Sequence, residues 1–328
     1  MLREHADDFR HPRTGRSLKL KVDESDAENV RSGTLSGDGD EFPIVSGIPR
    51  FAPVENYARS FGYQWQLFSR TQLDSAATWA SESAKRLREE TGWPDRLHGQ
   101  RILEAGSGMG RFTEHLAVKG ARLCTFDYSA AVDANFRNNA CNRNVSFAQA
   151  DIYSPPYEPA SFDKVLCVGV IQHCPSPKQA FMSLTRFLKP GGEIVIDVYR
   201  LDWRSIFHGK YYLRPITRLM PPPTLHKFVR FHVGWIYPLT GFLQKAIGRP
   251  ARKVSWALAM ADYRGVYHID DTTQREHSLL DTFDQLAPAY DRPRTLAQVR
   301  RWFADAGLID VVVKPGWNGI EARGRRPD

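Results

Sequence analysis

Ile102-Leu103-Glu104-Ala105-Gly106-Ser107-Gly108-Met109-Gly110 is the stretch that decides the fold. Ile102 and Leu103 belong to an apolar strand. Gly106, Gly108 and Gly110 then let the backbone turn sharply and approach a ligand with no Cβ in the way. A helical pattern follows, with Phe112 and Leu116 four residues apart and Gly120 as its stop. Strand, glycine turn and helix in this order predict the nucleotide-binding corner of a doubly wound α/β sheet.

A nicotinamide-type turn would read G-x-G-x-x-G and seat a pyrophosphate on the helix N-terminus. Here Gly106-Ser107-Gly108-Met109-Gly110 is one residue tighter and stands behind the acidic Glu104. A carboxylate there repels a pyrophosphate and suits a cationic, sulfonium-bearing amino acid. Asp127 closes a second strand 21 residues after Gly106, the spacing of a carboxylate that accepts both ribose hydroxyls. A third strand, 145–150, ends in Asp151, placed to reach an adenine amino group.

On these residues the chain resembles the class I S-adenosylmethionine-dependent methyltransferases. The matching stretches are 103–110, Phe126-Asp127-Tyr128-Ser129, Ala150-Asp151-Ile152, 161–166 and Phe187-Leu188-Lys189-Pro190-Gly191-Gly192. The resemblance implies S-adenosylmethionine as cofactor. It implies contacts to it from Glu104 and Gly106 at the methionine moiety, Asp127 at the ribose and Asp151 at the adenine, with Ser107, Gly108, Tyr128 and Ile152 beside them. It also implies a Rossmann-like sheet of seven strands, with a small N-terminal module and a helical insertion before the last helix.

Strands are expected at 101–104, 121–127, 145–150, 162–170 and 193–199, and crossover helices near 111–119, 129–140 and 177–188. A last helix capped by Thr295 and a hairpin of 309–314 with 319–323 complete the sheet. The core is thus 98–200 with 294–328. Hydrophobic residues make up 42% of the 328, enough for such a core, and no run approaches the ~20 apolar residues of a membrane span. The start, Met1-Leu2-Arg3-Glu4-His5, has no signal-peptide pattern. The four cysteines match no zinc spacing, and Cys124 and Cys167 fall in strands as small buried hydrophobes. A reducing cytoplasm is the expected compartment.

Residues 1–55 end in Phe42-Pro43-Ile44-Val45-Ser46-Gly47-Ile48-Pro49-Arg50-Phe51. They resemble a small zinc-ribbon-like module that opens many bacterial methyltransferases. The turns where those relatives carry cysteines read His11-Pro12-Arg13-Thr14-Gly15 and Leu35-Ser36-Gly37-Asp38, so a metal-free β-rich remnant is expected. In the segment 56–97, Tyr57, Phe61 and Trp65 recur every four residues on one helix face. That face packs on the core, forms a lid whose Tyr57, Gln64 or Trp65 touches the cofactor, or does both.

The segment 201–293 is the insertion. From Arg200 to Met260 eleven Lys/Arg, among them Arg204, Lys210, Arg214, Lys227, Arg230, Arg252 and Lys253, face one acid, Asp202, and ten aromatics accompany them. The net charge of 200–260, +10, exceeds the +8 of the whole chain, so the remainder is −2. Pro221-Pro222-Pro223 breaks it into helical pieces. Three readings stand: a solvated helical lid with its own aromatic core, a site for an anionic acceptor, or docking on an anionic membrane or nucleic acid. No nucleic-acid-binding motif is present.

For methyl transfer the protein mainly orients an acceptor and excludes water. A hydroxyl acceptor benefits from a base near neutral pH. His173, in Gly169-Val170-Ile171-Gln172-His173-Cys174-Pro175 after the fourth strand, is the candidate. Gln172 is a further cofactor candidate. Tyr199 and Arg200 at the end of strand five, Tyr211 in the insertion, and Asp281, Asp284 and Tyr290 before the last helix are candidates for acceptor contacts. For the polar run at 268–291, helix capping and turn formation are the competing reading. The expected partner is a small molecule, with an oxygen of a sugar or natural-product intermediate as acceptor; a lipid or RNA acceptor, or a binding scaffold without turnover, are the other readings.

Overall fold

The computed structural model describes residues 1–53, 55–76, 82–203, 207–248, 251–266 and 270–328, with 251 and 252 described by backbone alone. Arg204, His268 and Ile269 lie outside the described residues, as does the side chain of Arg252.

At the N-terminus β1 (Lys19–Asp26), β2 (Asn29–Gly37), β3 (Asp40–Val45) and β4 (Ile48–Pro49) pair antiparallel in chain order. Side chains tie the early turns together. His11 is buried; its Nε2 donates to Asp40 at 2.8 Å while Nδ1 accepts the Arg13 and Thr14 N–H groups at 3.2 and 3.3 Å. Both ring nitrogens are thus engaged by the chain itself. Asp38 accepts from Thr14 Oγ1 at 2.5 Å and from Arg16 at 2.9 Å. The inner face, Val30, Leu35 and Ile44 with Phe9, is buried in the same cluster as the central sheet. Arg50 fastens the module to the core through Asp133 of the helix Ala131–Asn139, at 2.6 Å, and to the sheet through a bridge to Gln149.

Two helices follow, α1 (Arg59–Leu67) and α2 (Glu82–Thr91). The alternating core comprises β5 (Arg101–Ala105), α3 (Thr113–Ala117), β6 (Arg122–Asp127), α4 (Ala131–Asn139), β7 (Val145–Gln149), β8 (Phe162–Cys167), α5 (Pro177–Thr185) and β9 (Leu188–Val198). The insertion folds as α6 (Lys210–Thr217), α7 (Pro222–Ile247), α8 (Ala251–Ala257) and α9 (Asp271–Leu286). Then come α10 (Leu296–Asp305), β10 (Ile309–Gly316) and β11 (Gly319–Arg325).

The sheet order is β10-β11-β9-β8-β5-β6-β7. Strands β5 to β9 pair parallel, and β11 runs antiparallel between β9 and β10. This is the Rossmann-like, seven-stranded α/β sheet that the resemblance implies. Chain order reverses beside β5, with β6 and β7 to one side and β8 and β9 to the other. Ligands of open α/β sheets bind outside the strand ends at such a switch point, which is where the glycine turn lies. Residues 102–105 and all of β7 are buried, as expected of parallel strands covered on both faces. Cys124 and Cys167 are fully buried in β6 and β8; Cys174 is buried and Cys141 exposed, and all four are free.

Boundaries differ where local geometry outweighs pattern. The fourth strand stops at Cys167 instead of 170, because Gly169 takes φ +80° and turns its N–H to Asp197 at 2.5 Å. The fifth begins at Leu188, which ends α5 at Thr185 instead of 188. In the insertion, Pro222 sits in the first turn of α7, where a missing N–H costs nothing. Leu225, Val229, Val233 and Tyr237 of α7 pack with Phe283 and Leu286 of α9 in a small separate core. Thr295 caps α10 in a reciprocal box with Gln298.

Candidate active site

The turn after β5 is held by its own backbone. The N–H groups of Gly106 and Ser107 both donate to the Phe126 carbonyl, at 2.8 and 3.1 Å. Gly106 takes φ +75°, and a Cβ there would stand 2.3 Å from Val170 Cγ2. Gly108 takes φ +56°, with Trp65 Nε1 3.2 Å from where its Cβ would be. Only glycine satisfies both the backbone and the crowding. The Gly108 N–H donates to Asp127 Oδ2 at 2.9 Å, while Asp127 Oδ1 accepts from Ser129 N–H and Oγ–H at 2.8 and 2.7 Å. Burial raises the Asp127 carboxyl above the usual range, and these bonds partly oppose the rise.

A cavity of about 730 Å³ opens from this turn toward the insertion. It is large enough for a nucleoside-sized cofactor together with a small acceptor. Of the residues singled out as cofactor contacts, Tyr57, Trp65, Gly106, Ser107, Gly108, Asp127, Tyr128 and Ile152 line it. So do His173 and the acceptor candidates Tyr199, Arg200, Tyr211, Asp281 and Asp284. Tyr57 and Phe61 project from the start of α1 and the loop before it; Tyr57 packs on Tyr128 at 4.8 Å and Phe61 on His173 at 4.9 Å between ring centroids. The aromatic face of this segment is therefore core packing and cavity wall together.

Glu104, Asp151, Gln172 and Tyr290 do not line the cavity. Glu104 turns into the core, where its Oε2 accepts from Thr113 and Thr125 at 2.6 and 2.9 Å. Burial pushes its carboxyl up to about 7. It projects toward α3, whereas the cavity lies beyond the strand ends. Asp151 stands between two lining residues, Ala150 and Ile152, and accepts the Tyr153 N–H at 3.0 Å. Gln172 is fully buried, its carbonyl accepting from the Arg292 N–H at 2.9 Å. Tyr290 acts from behind, because its carbonyl accepts from His173 Nδ1 at 3.0 Å.

That last bond fixes the chemistry of His173. With the proton on Nδ1, Nε2 carries the lone pair. Burial holds the imidazole below its usual pKa, against the opposing pull of Asp284 and Asp291, so the ring is neutral at pH 7. Tyr199 packs edge-on against it at 5.3 Å and donates its hydroxyl to Asp284 Oδ2 at 3.3 Å. Gln64 of α1 donates to the other Asp284 oxygen at 3.3 Å. Asp284 thereby links α9 to α1 and to the residue just after β9 across the cavity. Asp281 accepts from the Tyr263 hydroxyl, and burial pushes its carboxyl up to about 7.

Several lining residues were not singled out as site residues. Lys210 is buried with its Nζ 2.7 Å from Asp291, and it lies over the rings of Tyr199 and Tyr211 at 4.8 and 5.0 Å. Arg86 of α2 bonds Asp197 and Glu90. Only composition flagged Lys210, as one of eleven basic residues, and periodicity alone gives no sign that it turns inward. Asp74, Glu114 and His115 lie within reach of a shared cation at the cavity edge. Asp74 already accepts the Ser83 and Ala84 N–H groups at the start of α2, at 3.2 and 2.9 Å.

The buried Ser107 Oγ and Gln64 Oε1 line the cavity with no hydrogen-bond partner among the described residues. Together with a backbone stripped of Cβ atoms and a buried carboxylate at the end of β6, they fit an adenosyl amino acid. Residues 103–196 match the family described as "Methyltransferase domain". The match runs from β5 into β9, the part of the sheet that carries the glycine turn and Asp127. Among curated proteins, it is similar to "Ubiquinone biosynthesis O-methyltransferase" of Dechloromonas aromatica, at 26% identity over 42% of this chain and 62% of that one. The same-named protein of Alkalilimnicola ehrlichii is 30% identical over 41% and 56%. The chain thus spans about three-fifths of the length of these relatives. A solved S-adenosylmethionine-dependent methyltransferase from Aquifex aeolicus superposes with a TM-score of 0.42 at 13% identity, over 81% of this chain and 97% of that one.

Proposed function

We propose that the protein transfers a methyl group from S-adenosylmethionine to a hydroxyl oxygen of a small molecule, a sugar or natural-product intermediate, in the cytoplasm. The observation that carries this reading is one cavity holding both the Gly106–Asp127 corner and His173 with Nε2 unprotonated. S-adenosylmethionine, when bound, supplies a methyl group already activated on sulfur. The glycine turn, Ser107 and Asp127 would hold it, with Trp65 and Tyr57 closing over it. The chain's remaining task is to hold an acceptor hydroxyl in line and take its proton. His173 Nε2 would take that proton as the methyl group passes from sulfur to oxygen, the sulfur leaving as a neutral thioether. Asp284 and Tyr199 orient the acceptor beside it.

The relatives' printed names support oxygen as the acceptor atom. Two cations of the cavity wall are matched by carboxylates, Lys210 by Asp291 and Arg86 by Asp197 and Glu90, while Arg111 bonds Gln72 and Ser83. This pairing favours an uncharged, hydroxyl-bearing acceptor over a strongly anionic one. The test follows label from methyl-labelled S-adenosylmethionine into polar, glycan, lipid and RNA fractions of a cell extract. Label in an alkali-stable ether of the polar or glycan pool is expected. Label confined to lipid or RNA, or cofactor binding without transfer to any pool, refutes the reading.

A further inference from the structure

Helix α7 has two apolar faces. Leu225, Val229, Val233 and Tyr237 recur every four residues and are buried in the core of the insertion. Phe231, Trp235, Leu239 and Phe242, at intervals of four, four and three, run along the opposite side and are exposed, Phe231 to 66% and Trp235 and Phe242 to 69%. A helix that only covers a core carries polar residues there. Helix α6 is inverted in the same sense. Its cations Lys210 and Arg214 are buried, while Tyr212, Ile216 and, just beyond, Leu219 face solvent. Exposed Arg218, Lys227, Arg230 and Lys245 flank these apolar residues.

We infer that this side of the insertion is a docking surface for an anionic phospholipid bilayer, with α7 lying in the plane of the interface. Trp, Phe and Leu on one side of a helix, bordered by Lys and Arg, are what an interfacial helix presents to acyl chains and headgroups. No helix among the described residues is long and apolar enough to cross a membrane, so contact is peripheral. Charge argues for lipid over a second copy of the chain, since two faces drawn from residues 200–260, of net charge +10, repel each other. Exposed Ile216, Leu219 and Leu239 find partners among acyl chains and none on a phosphate backbone. Helix α6 joins this surface to the cavity, with Lys210 and Tyr211 lining the cavity and Tyr212 exposed. Docking would bring the cavity mouth close to the bilayer. The inference stands without the methyl-transfer reading.

The test sediments the full chain with vesicles of phosphatidylcholine, alone or mixed with phosphatidylglycerol, at low and high salt. Binding only to the mixed vesicles, weakened by salt, is expected. Lys227→Gln/Arg230→Gln/Lys245→Gln should lower partitioning roughly a hundredfold, at about fivefold per basic group near the surface. Phe231→Ser/Trp235→Ser/Phe242→Ser should abolish it and remove the blue shift of tryptophan emission on binding. All six side chains are exposed, and S-adenosylmethionine affinity by calorimetry checks that each variant is folded. Sedimentation unaffected by either triple variant overturns the inference. So does no binding to either vesicle, a dimer in ultracentrifugation that the apolar triple variant dissolves, or tighter binding to RNA than to mixed vesicles.

Discussion

Replacing Asp127 by Asn tests the cofactor corner with least disturbance of shape. The wild-type carboxylate serves three protein donors: Gly108 N–H on one oxygen, and Ser129 N–H and Oγ–H on the other. An asparagine keeps one acceptor oxygen. If that oxygen stays with Ser129, the new NH₂ confronts the Gly108 N–H, and a buried donor loses its partner at a cost of about 1–3 kcal/mol of stability. At a ribose, the variant loses one charge-assisted acceptor, worth about 1.5–3 kcal/mol. S-adenosylmethionine should then bind about 10- to 150-fold more weakly. Asp127→Ala removes both acceptors and should reduce binding below detection. Isothermal titration calorimetry measures the affinity, and a thermal scan without ligand separates it from the stability loss. An Asp127→Asn affinity within threefold of wild type would refute the assignment of this carboxylate to the cofactor.

Four further outcomes follow from the same geometry. His173→Gln should lower turnover by about 10²–10⁴ while leaving S-adenosylmethionine affinity unchanged; wild-type activity should fall only below the ordinary histidine range, because burial keeps the ring neutral above it, and a profile still rising above pH 8 would exclude His173 as the base. Gly106→Ala combines a positive φ with a Cβ 2.3 Å from Val170, so urea unfolding should show a loss of about 2–4 kcal/mol. Thr295→Ala removes one side of the α10 capping box and should cost about 0.5–2 kcal/mol in the same assay. Glu104, whose carboxyl is raised to about 7 when folded, contributes stability that is present below the unfolded value of about 4.3 and is lost as pH rises through 7; Glu104→Gln should therefore gain on wild type between pH 5 and pH 8, and an unchanged melting-temperature difference across that range would contradict the burial argument.

The strands were legible because parallel strands at the centre of a sheet have few alternatives. Runs such as Ile102-Leu103 and Val145 to Gln149 must be buried on both faces, and glycine or acidic ends mark where they leave the sheet. The cofactor side was legible for the same reason: a backbone that must approach a ligand needs glycine, and glycine is visible in a sequence. Glu104 shows the limit of that reasoning. Its position behind the turn is fixed by the motif, but its direction depends on Thr113 and Thr125 offering their hydroxyls inside the core. The acceptor side was much less legible, because its residues converge from elements distant in sequence. His173 meets the Tyr290 carbonyl across 117 residues, and Gln64 meets Asp284 across 220. No local period encodes such meetings.

The insertion separates composition from placement most sharply. Composition correctly marks it as basic and aromatic, yet it treats Lys210 and Lys227 alike. The fold gives Lys210 a buried carboxylate partner in Asp291 and leaves Lys227 exposed on α7. Burying an unpaired ammonium is expensive, so Lys210 can sit at the cavity only because Asp291 arrives with it from the loop before α10. Asp291→Asn would strand that charge. Lys210 should then swing outward, opening the wall against Tyr199 and Tyr211. Cofactor affinity should hold, because the glycine corner does not touch the pair, while acceptor turnover should drop. Equal losses in both would mean that Asp291 stabilises the whole cavity and does not act locally through Lys210.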